Sequence, residues 1–172
     1  MILFYKTMII LMSFPMILLA DIGILSSVVD GDTVYFGDVK CRLAYIDTPE
    51  SKINDKAIRD ISRCTGLTVD WMVNAGKAAS YFTESQLLLG KSYKYQVVDT
   101  DKFGRSVCLI ESNGDNLNLS IVNAGFAVPY KKYILNDITK STYVKAVQNA
   151  KQNNLGLWKS HPSIMECMEE SR

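Results

Sequence analysis

The sequence predicts an α+β protein built mainly from a small five-stranded barrel, with three helices packed around it. Three observations predict this class. Residues 24–46 alternate apolar and polar side chains between turn residues, residues 92–111 repeat that pattern, and the remaining segments carry apolar residues at helical spacing. The chain has 172 residues without internal repeats or low-complexity tracts, which suits one domain with one core.

The first three strands follow one another directly. Segments 24–29 and 32–36 flank Asp30-Gly31, a pair that favours the tight turn of a hairpin. Gly37-Asp38 then turns the chain into a third segment at 39–46. We therefore expect a three-stranded antiparallel meander at the start of the domain.

A polar, irregular segment separates the meander from the next long element. It covers residues 51–75 and contains one short helical pattern at 55–64. A longer helix is predicted from about Lys77, because apolar residues recur there at helical spacing, and Gly90 is expected to end it.

Two further strands and two helices complete the chain. The strands are predicted at 92–98 and 105–111, joined by a polar turn. The helices are indicated by two apolar stripes, one of Leu117, Ile121 and Ala124 and one of Tyr143, Val147 and Ala150. The order of three strands, a helix, two strands and two helices is that of the OB-fold, a five-stranded Greek-key barrel.

Residues 1–20 have the composition of a secretory signal peptide. Lys6 precedes a short apolar run that ends at the small residue Ala20. The run is short for a membrane span and contains Pro15, so an uncleaved anchor is the less favoured alternative. We expect a domain at 21–172 and an exported protein, whether secreted, periplasmic or held at the membrane through residues 1–20.

Charge, histidine and cysteine content exclude several classes of function. The chain has 19 basic and 18 acidic residues, so a protein that coats nucleic acid by charge alone is not expected. The one histidine, His161, falls in the predicted C-terminal tail, where we expect it to be exposed and without a catalytic role. The four cysteines lack C-x-x-C spacing, so a zinc site is not expected.

Acidic residues and arginines gather at the ends of the predicted strands. Asp32 begins the second strand, Arg42 lies in the third, Asp47 and Glu50 follow it, and Arg105 begins the fifth. The third and fifth strands are neighbours in an OB barrel, so we expect both arginines on one patch beside the carboxylates. Two carboxylates with a main-chain carbonyl suit Ca²⁺, paired guanidiniums grip a phosphate, and a third carboxylate can take a proton from water. The alternative, a surface cluster that neutralises itself, leaves the gathering at strand ends unexplained.

Five stretches of the sequence resemble the staphylococcal nuclease, or thermonuclease, family. They are VVDGDTV, RLAYIDTPE, DKFGR, IVNAGFA and NNLGLW, which fall in family order over most of residues 24–158. The resemblance implies a five-stranded OB barrel and a secreted, calcium-dependent nuclease that acts on DNA and RNA.

The resemblance also implies a role for each matching acid. The implied calcium ligands are the carboxylates of Asp32 and Asp47 and the main-chain carbonyl of Thr48. Glu50 matches the carboxylate that acts as general base toward the attacking water. Asp30 matches a further acid that stands near the metal without binding it.

Substrate contacts are implied for five residues. Arg42 and Arg105 match the arginines that grip the phosphate and stabilise its transition state, and Lys102 and Tyr130 match positions that contact a bound nucleotide. Phe103 stands where the compact family member has tyrosine, and it can stack on a base without offering a hydroxyl. The run PYKKY interleaves aromatic and basic residues, which suits single-stranded nucleic acid, with a solvated loop as the alternative. No protein partner is implied, and we expect a monomer.

Two questions stay open at this point. An OB domain that binds nucleic acid without cutting it is the alternative function, but every implied catalytic residue is present, which favours the enzyme. The segment 51–75 is longer than in the compact family member. It either shapes substrate access or is an inert surface insertion.

The cysteines allow two bridges. Cys41 and Cys108 alternate with site-facing positions on neighbouring strands, so both are expected in the barrel interior, either as a disulfide or as reduced thiols. Cys64, in the segment 51–75, and Cys167, in the tail, are expected to be more exposed. If only one bridge forms, we expect Cys64–Cys167, whose long loop would stabilise the fold by roughly 3–5 kcal/mol.

Overall fold

The computed structural model describes residues 20–172, so the predicted signal peptide lies outside the described residues except for Ala20. The strands, in chain order, are β1 (Asp21–Asp30), β2 (Thr33–Phe36), β3 (Val39–Leu43), β4 (Ile46–Asp47), β5 (Ser92–Thr100), β6 (Ser106–Ser112), β7 (Asp115–Asn116) and β8 (Val128–Pro129). The helices are α1 (Asp55–Ile61), α2 (Val69–Gln86), α3 (Leu117–Asn123), α4 (Asp137–Gln152), α5 (Leu157–Ser160) and α6 (Pro162–Ser171), with a 3₁₀ turn at Lys131–Tyr133. Among these residues no helix is long and apolar enough to cross a bilayer.

Five strands close into a barrel in the order β3-β2-β1-β5-β6. All neighbouring pairs are antiparallel except β3 and β6, which run parallel and close the barrel. In this closing pair Arg42 lies opposite Val107, and Leu43 lies opposite Cys108. The predicted five-stranded OB-type barrel is therefore confirmed, including the pairing of the third predicted strand with the fifth.

The interior of the barrel is filled by alternate residues of its strands. Leu25, Val34, Leu43 and Ile110 are almost completely buried there. The alternation follows from the two-residue period of a strand, which sends successive side chains to opposite faces. The apolar positions seen in the sequence therefore identify the inner face of the barrel.

Cys41 and Cys108 form a disulfide inside this core. Their Cα atoms are 5.6 Å apart on neighbouring strands, and both residues are fully buried. The structure thus selects the disulfide over the pair of reduced thiols. In the chain-entropy description a bridge between such distant positions stabilises a fold by roughly 4 kcal/mol.

The turn between β1 and β2 is pressed against α2. A Cβ on Gly31 would lie 2.8 Å from the Thr48 hydroxyl and 2.9 Å from the Ala79 Cβ, so this position has no room for a side chain. The Thr83 hydroxyl of α2 donates a hydrogen bond to the Gly31 carbonyl at 2.8 Å. These contacts fix the Asp-Gly-Asp turn at the site edge of the barrel.

The long central helix differs from its predicted bounds. It was expected from about Lys77 to Gly90, but α2 begins at Val69 and ends at Gln86. Thr68 caps it, since its hydroxyl accepts a hydrogen bond from the Trp71 N–H. The first two turns contain the consecutive apolar residues Trp71, Met72 and Val73, of which Trp71 is exposed, so the sequence there shows no single apolar stripe at helical spacing. The short helix expected at 55–64 is confirmed as α1.

The C-terminal segment is helical rather than a tail. The prediction of three helices was too low. The described residues form six α-helices, of which α1 was expected only as a short helical pattern and α5 and α6 were missed. In α6 the side chains of Ile164, Met165 and Met168 are buried against the core. His161 is half-buried between α5 and α6, so its predicted exposure in a tail was wrong.

A second disulfide joins Cys64 to Cys167, as predicted. It links the chain just after α1 to α6 across 103 positions of sequence, with the Cα atoms 5.7 Å apart. Both bridges therefore form, and the second attaches part of the segment 51–75 to the C-terminal helix.

Candidate active site

Arg42 joins two buried carboxylates at the edge of the barrel. Its Nη1 lies 2.6 Å from Asp32 Oδ1, and its Nη2 lies 2.6 Å from Asp47 Oδ1. Nη2 also donates to the Ile46 carbonyl at 3.3 Å, and Asp32 Oδ2 accepts the Thr48 N–H at 3.2 Å. The strand ends thus bring together Arg42 and the three predicted metal-ligand residues, Asp32, Asp47 and Thr48.

Charge pairing keeps these buried groups ionised. Burial alone would raise the pKa of Asp47, but the cations of Lys56, Arg42 and Arg172 outweigh it and hold that pKa well below its usual range. Burial likewise disfavours the charged form of Arg42, yet Asp32 and Asp47 raise the pKa of its guanidinium. A buried ion is tolerated only with such partners, so each of these charges depends on the others.

Glu50 lies next to this pair and is held from the side of the segment 51–75. Its Oε2 accepts a hydrogen bond from Asn54 Nδ2 at 2.7 Å, and its Oε1 accepts one from Lys56 Nζ. Lys56 Nζ also lies 3.3 Å from Asp47 Oδ1 and 3.6 Å from Asp60 Oδ2. Burial would lower the pKa of Lys56, but Asp47, Asp32 and Glu50 raise it above its ordinary value.

The backbone of Glu50 is fixed by a close approach to α2. A Cβ on Gly76 would lie 2.2 Å from the Glu50 carbonyl oxygen, so only glycine permits this contact. The chain therefore leaves β4 along the surface of the helix, and the position of the Glu50 Cα is set by packing.

Arg172 approaches the same cluster from the end of α6. Its Nε donates to Asp47 Oδ2 at 2.7 Å, its Nη2 pairs with Asp60, and its guanidinium lies 5.4 Å from the centroid of the Tyr130 ring. The Arg172 side chain is only 4% exposed. Both oxygens of Asp47 are thus engaged by cations.

Arg105 is held apart from this cluster. Its Nε and Nη2 each lie 2.6 Å from Asp101 Oδ2, and Asp101 Oδ1 accepts the main-chain N–H groups of Arg105 and Phe103. Arg105 precedes by two residues the register partner of Arg42, which places it on the same face of the barrel. The two arginines therefore share a face, but Arg105 pairs with Asp101 and not with Asp32 or Asp47.

Asp30 lies beside the other acids of the site, and its pKa is raised there. Its Oδ1 accepts the Asp32 N–H at 3.1 Å across the turn. Burial, followed by the charges of Asp32 and Glu50, raises the pKa of Asp30 to about 7. The cluster holds the acids Asp30, Asp32, Asp47, Glu50 and Asp60 against the cations Arg42, Lys56 and Arg172. Fully ionised, it carries more acids than cations.

The sequence that forms this site matches the model of a known protein family. The model of the staphylococcal nuclease homologue family matches residues 40–160, more than half of the chain. The chain belongs to the staphylococcal nuclease family. The match contains β3 apart from its first residue, all of β4 and most of the residues of the cluster, while Asp30 and Asp32 precede it and Arg172 follows it.

The chain is moderately similar to several individual proteins. The chain is 29% identical over 159 residues to endonuclease YhcR of Bacillus subtilis, covering 87% of this chain and 12% of that protein. It is 31% identical over 150 residues to an uncharacterised protein of Methanocaldococcus jannaschii, covering 79% of this chain and 70% of that protein. An uncharacterised endonuclease of Haemophilus influenzae is 27% identical over 140 residues, with coverage of 78% and 65%. The chain thus spans a small part of one relative and about two thirds of the others.

The residues that the family resemblance assigns to nucleotide contact lie on two loops. Lys102 and Phe103 occupy the turn between β5 and β6, where Phe103 is 73% exposed and Lys102 Nζ lies 5.0 Å from its ring centroid. Tyr130 follows β8 and donates its main-chain N–H to the Tyr45 carbonyl at 2.7 Å. Tyr133, two residues past Lys131 in the PYKKY run, packs edge-on against Tyr130. Each loop therefore presents an aromatic ring beside a cation.

Four residues of the site were missed from the sequence. Asn54, Lys56 and Asp60 belong to the segment 51–75, and Arg172 follows a helix that was not predicted. The short helical pattern at 55–64 would place Lys56 and Asp60 on one face, four residues apart, and this is the signal that was available. Arg172 gave no local signal, because only the packing of α6 brings it to Asp47.

Proposed function

We propose that this protein is a nuclease that hydrolyses phosphodiester bonds of DNA and RNA at the site of Arg42, Asp32, Asp47 and Glu50. The observation that carries the proposal is the Arg42 guanidinium, whose two terminal nitrogens pair with the buried carboxylates of Asp32 and Asp47. A third carboxylate, that of Glu50, lies beside them and shares the Lys56 cation with Asp47. Membership of the staphylococcal nuclease family and two relatives named as endonucleases support the same chemistry.

Calcium fits the donor groups of this site. Carboxylates of Asp32 and Asp47 and the main-chain carbonyl of Thr48 are hard oxygen ligands of the kind that Ca²⁺ prefers. The excess of acids over cations leaves negative charge for an added cation to neutralise. In residues 20–172 no group of three histidine, cysteine or acidic side chains is arranged as a metal site, and the donor set proposed here has only two such side chains. Bound Ca²⁺ would supply Lewis-acid polarisation of a phosphate oxygen.

The protein side chains accept the proton of the attacking water and bind the phosphate. A water oxygen forms a bond to phosphorus as one of its protons passes to Glu50, and the bond from phosphorus to the leaving oxygen breaks. Arg42 and Arg105 offer N–H donors to the phosphate oxygens, whose charge increases as phosphorus becomes five-coordinate. Arg105 is about a quarter exposed, so a phosphate can reach its guanidinium while Asp101 orients it.

The protein is proposed to prefer single-stranded nucleic acid as its substrate. The exposed ring of Phe103 and the rings of Tyr130 and Tyr133 suit stacked bases, and Lys102 and Lys132 suit the backbone. A duplex would keep its bases stacked on one another and away from these rings. We propose that a monomer carries out the reaction.

Export of the protein is part of the proposal. Both disulfides require an oxidising compartment, and the composition of residues 1–20 is that of a signal peptide. The protein is proposed to act outside the cytoplasm, as a secreted, periplasmic or membrane-held enzyme.

The test is cleavage of labelled single-stranded DNA, single-stranded RNA and duplex DNA by purified protein with Ca²⁺ or with excess chelator. We expect cleavage with Ca²⁺, fastest on single strands, and loss of activity in chelator. Zn²⁺ is not expected to replace Ca²⁺, because the donor set has no imidazole or thiolate. Full activity in chelator would contradict the calcium site. Binding of all three substrates without cleavage would instead identify a non-catalytic OB domain.

A further inference from the structure

The segment 51–75 holds both oxygens of Glu50. Asn54 Nδ2 donates to Oε2 at 2.7 Å, and Lys56 Nζ donates to Oε1. The sequence left open whether this segment has any role at the site. In the structure it supplies the side-chain hydrogen bonds to the proposed general base.

Asn54 connects Glu50 to the start of a helix. Its Oδ1 accepts the Ala57 N–H at 2.8 Å and so caps α1, while its Nδ2 faces Glu50. One side chain therefore sets the beginning of α1 and the orientation of the Glu50 carboxylate together. The two functions use different atoms, so they can be separated by substitution.

Lys56 lies on the first turn of the same helix, between Glu50 and Asp47. Its side chain is about one third exposed, and its Nζ reaches both carboxylates as well as Asp60. A cation placed between two acids sets their separation, because moving either acid away loses an ion pair.

The helix that carries these groups is itself anchored. The Cys64–Cys167 bridge follows α1 directly and ties it to α6. The Glu50 backbone in turn rests on α2 at Gly76. The Glu50 side chain is thus the remaining free part of this residue, and Asn54 and Lys56 restrain it.

We propose that Asn54 and Lys56 are positioning residues, which hold the Glu50 carboxylate in the orientation that accepts a proton from water. The proposal rests on the proposed nuclease function. Each carboxylate oxygen has two acceptor positions, so one hydrogen bond to each oxygen still leaves a free position for the water. Residues that orient a reacting group in this way commonly change rates by roughly 10- to 100-fold.

The experiment compares Asn54→Ser, Lys56→Met and Lys56→Arg with the full-length protein. Serine keeps the helix cap but has no amide donor, and methionine keeps the apolar stem of lysine without its charge. Lys52→Met is the matched control, because Lys52 is exposed in the same segment and forms none of the ion pairs seen in residues 20–172. The kcat and KM on single-stranded DNA and the thermal unfolding midpoint are measured for each.

We expect Asn54→Ser and Lys56→Met each to lower kcat by roughly 10-fold with KM near that of the parent. The unfolding midpoint should stay near that of the parent in Asn54→Ser and fall in Lys56→Met, because Lys56→Met leaves Asp47 and Glu50 without this cation. Lys56→Arg should restore most of the rate, and Lys52→Met should match the parent. Asn54→Ser should have no further effect on kcat in a Glu50→Gln background, because Asn54 is proposed to act only through Glu50.

Three results separate the possible failures. Parent-like or raised kcat in Asn54→Ser would overturn the positioning role while leaving the nuclease proposal intact. A rate loss of equal size in the Glu50→Gln background would also overturn it, since the effect would not pass through Glu50. A parent protein that cleaves no substrate while it still binds one would overturn the nuclease function, and the positioning role with it.

Discussion

The barrel and the outer segments, meaning residues 51–75 together with α6 and Arg172, contribute opposite net charges to the site: more acids than cations from the barrel, and the two cations Lys56 and Arg172 against the one acid Asp60 from the outer segments. The barrel and its strand ends supply Asp32, Asp47 and the largely buried Arg42. The outer segments supply Lys56 and Arg172, which both reach Asp47. Each region also has its own covalent attachment, Cys41–Cys108 within the barrel and Cys64–Cys167 between the outer segments.

This difference shows how the two regions depend on each other. The acids at the strand ends are too numerous for Arg42 alone to neutralise, and an unpaired buried charge is costly. The outer segments provide the missing cations from positions that are distant in sequence. We infer that the barrel carries the residues of the proposed chemistry and that the outer segments neutralise part of the charge of its buried acids.

The largest expected effect tests the barrel side. Glu50→Gln should lower kcat by roughly 10²–10⁴-fold, because glutamine cannot accept the proton of the attacking water. Nucleotide binding and folding should change little, since the amide keeps the shape of the side chain. Glu84→Gln, at an exposed position of α2, is the control. Turnover of Glu50→Gln at the parent rate would mean that another group activates the water.

Replacing Arg42 and replacing Arg105 should lower kcat by similar factors but should differ in their effect on the free energy of unfolding. Arg42→Ala and Arg105→Ala should each lower kcat by roughly 10²–10³-fold through lost stabilisation of transition-state charge. Arg42→Ala should also lower the free energy of unfolding by about 3–5 kcal/mol, because it leaves Asp32 and Asp47 without their shared partner.

Arg105→Ala should cost about 1 kcal/mol or less, because its pair with Asp101 is more exposed. Urea unfolding of both variants measures the difference. Equal losses of stability would contradict the distinction between a buried bridging arginine and a peripheral one.

Removing either disulfide should lower stability by a similar amount, but only removal of Cys64–Cys167 should also lower the activity of the folded protein. Replacing Cys64 and Cys167 by serine should lower the free energy of unfolding by roughly 3–5 kcal/mol and also lower activity at temperatures where the barrel stays folded. Replacing Cys41 and Cys108 by alanine should cost a similar amount of stability but leave activity near that of the parent well below the unfolding midpoint. If only the variant without Cys41 and Cys108 lost activity, the result would contradict the inferred effect of the outer segments on the site.

The smallest effect concerns Arg172. Arg172→Met should raise the affinity for Ca²⁺ by about 10-fold, because it frees Asp47 Oδ2 and removes a positive charge beside the proposed ligands. It should also cost about 1–3 kcal/mol of stability through the lost charged hydrogen bonds. Calorimetric titration with Ca²⁺ tests the affinity, and Arg63→Met, at an exposed position of the segment 51–75, is the control. Unchanged affinity would show that Arg172 does not compete with the metal.

The sequence was sufficient for the barrel because its signals are local or follow from topology. The two-residue alternation and the Asp-Gly turn predict β1 to β3, and the OB order then places β3 beside β6. The convergence of Asp32, Asp47 and Arg42 follows from that pairing and from the positions of these residues at strand ends.

The rest of the site depends on long-range packing that no local pattern encodes. The first turns of α2 show no single apolar stripe in the sequence, and the segment predicted to be a C-terminal tail is the helix α6. Lys56 and Arg172 reach Asp47 only because α1 and α6 pack beside it. Arg105 was expected beside Arg42, but Asp101, four residues before it, offers a nearer carboxylate on the same turn.

The order of the cysteines along the chain has one further consequence. Cys41 pairs with Cys108 and Cys64 pairs with Cys167, so the two bridged spans overlap without either enclosing the other. A single cut of the backbone at any point between residues 41 and 167 therefore leaves two pieces that are still joined covalently. For an enzyme proposed to act outside the cytoplasm, one proteolytic cut in a loop would not release a fragment, and the barrel, the proposed base and Arg172 would stay together as one molecule.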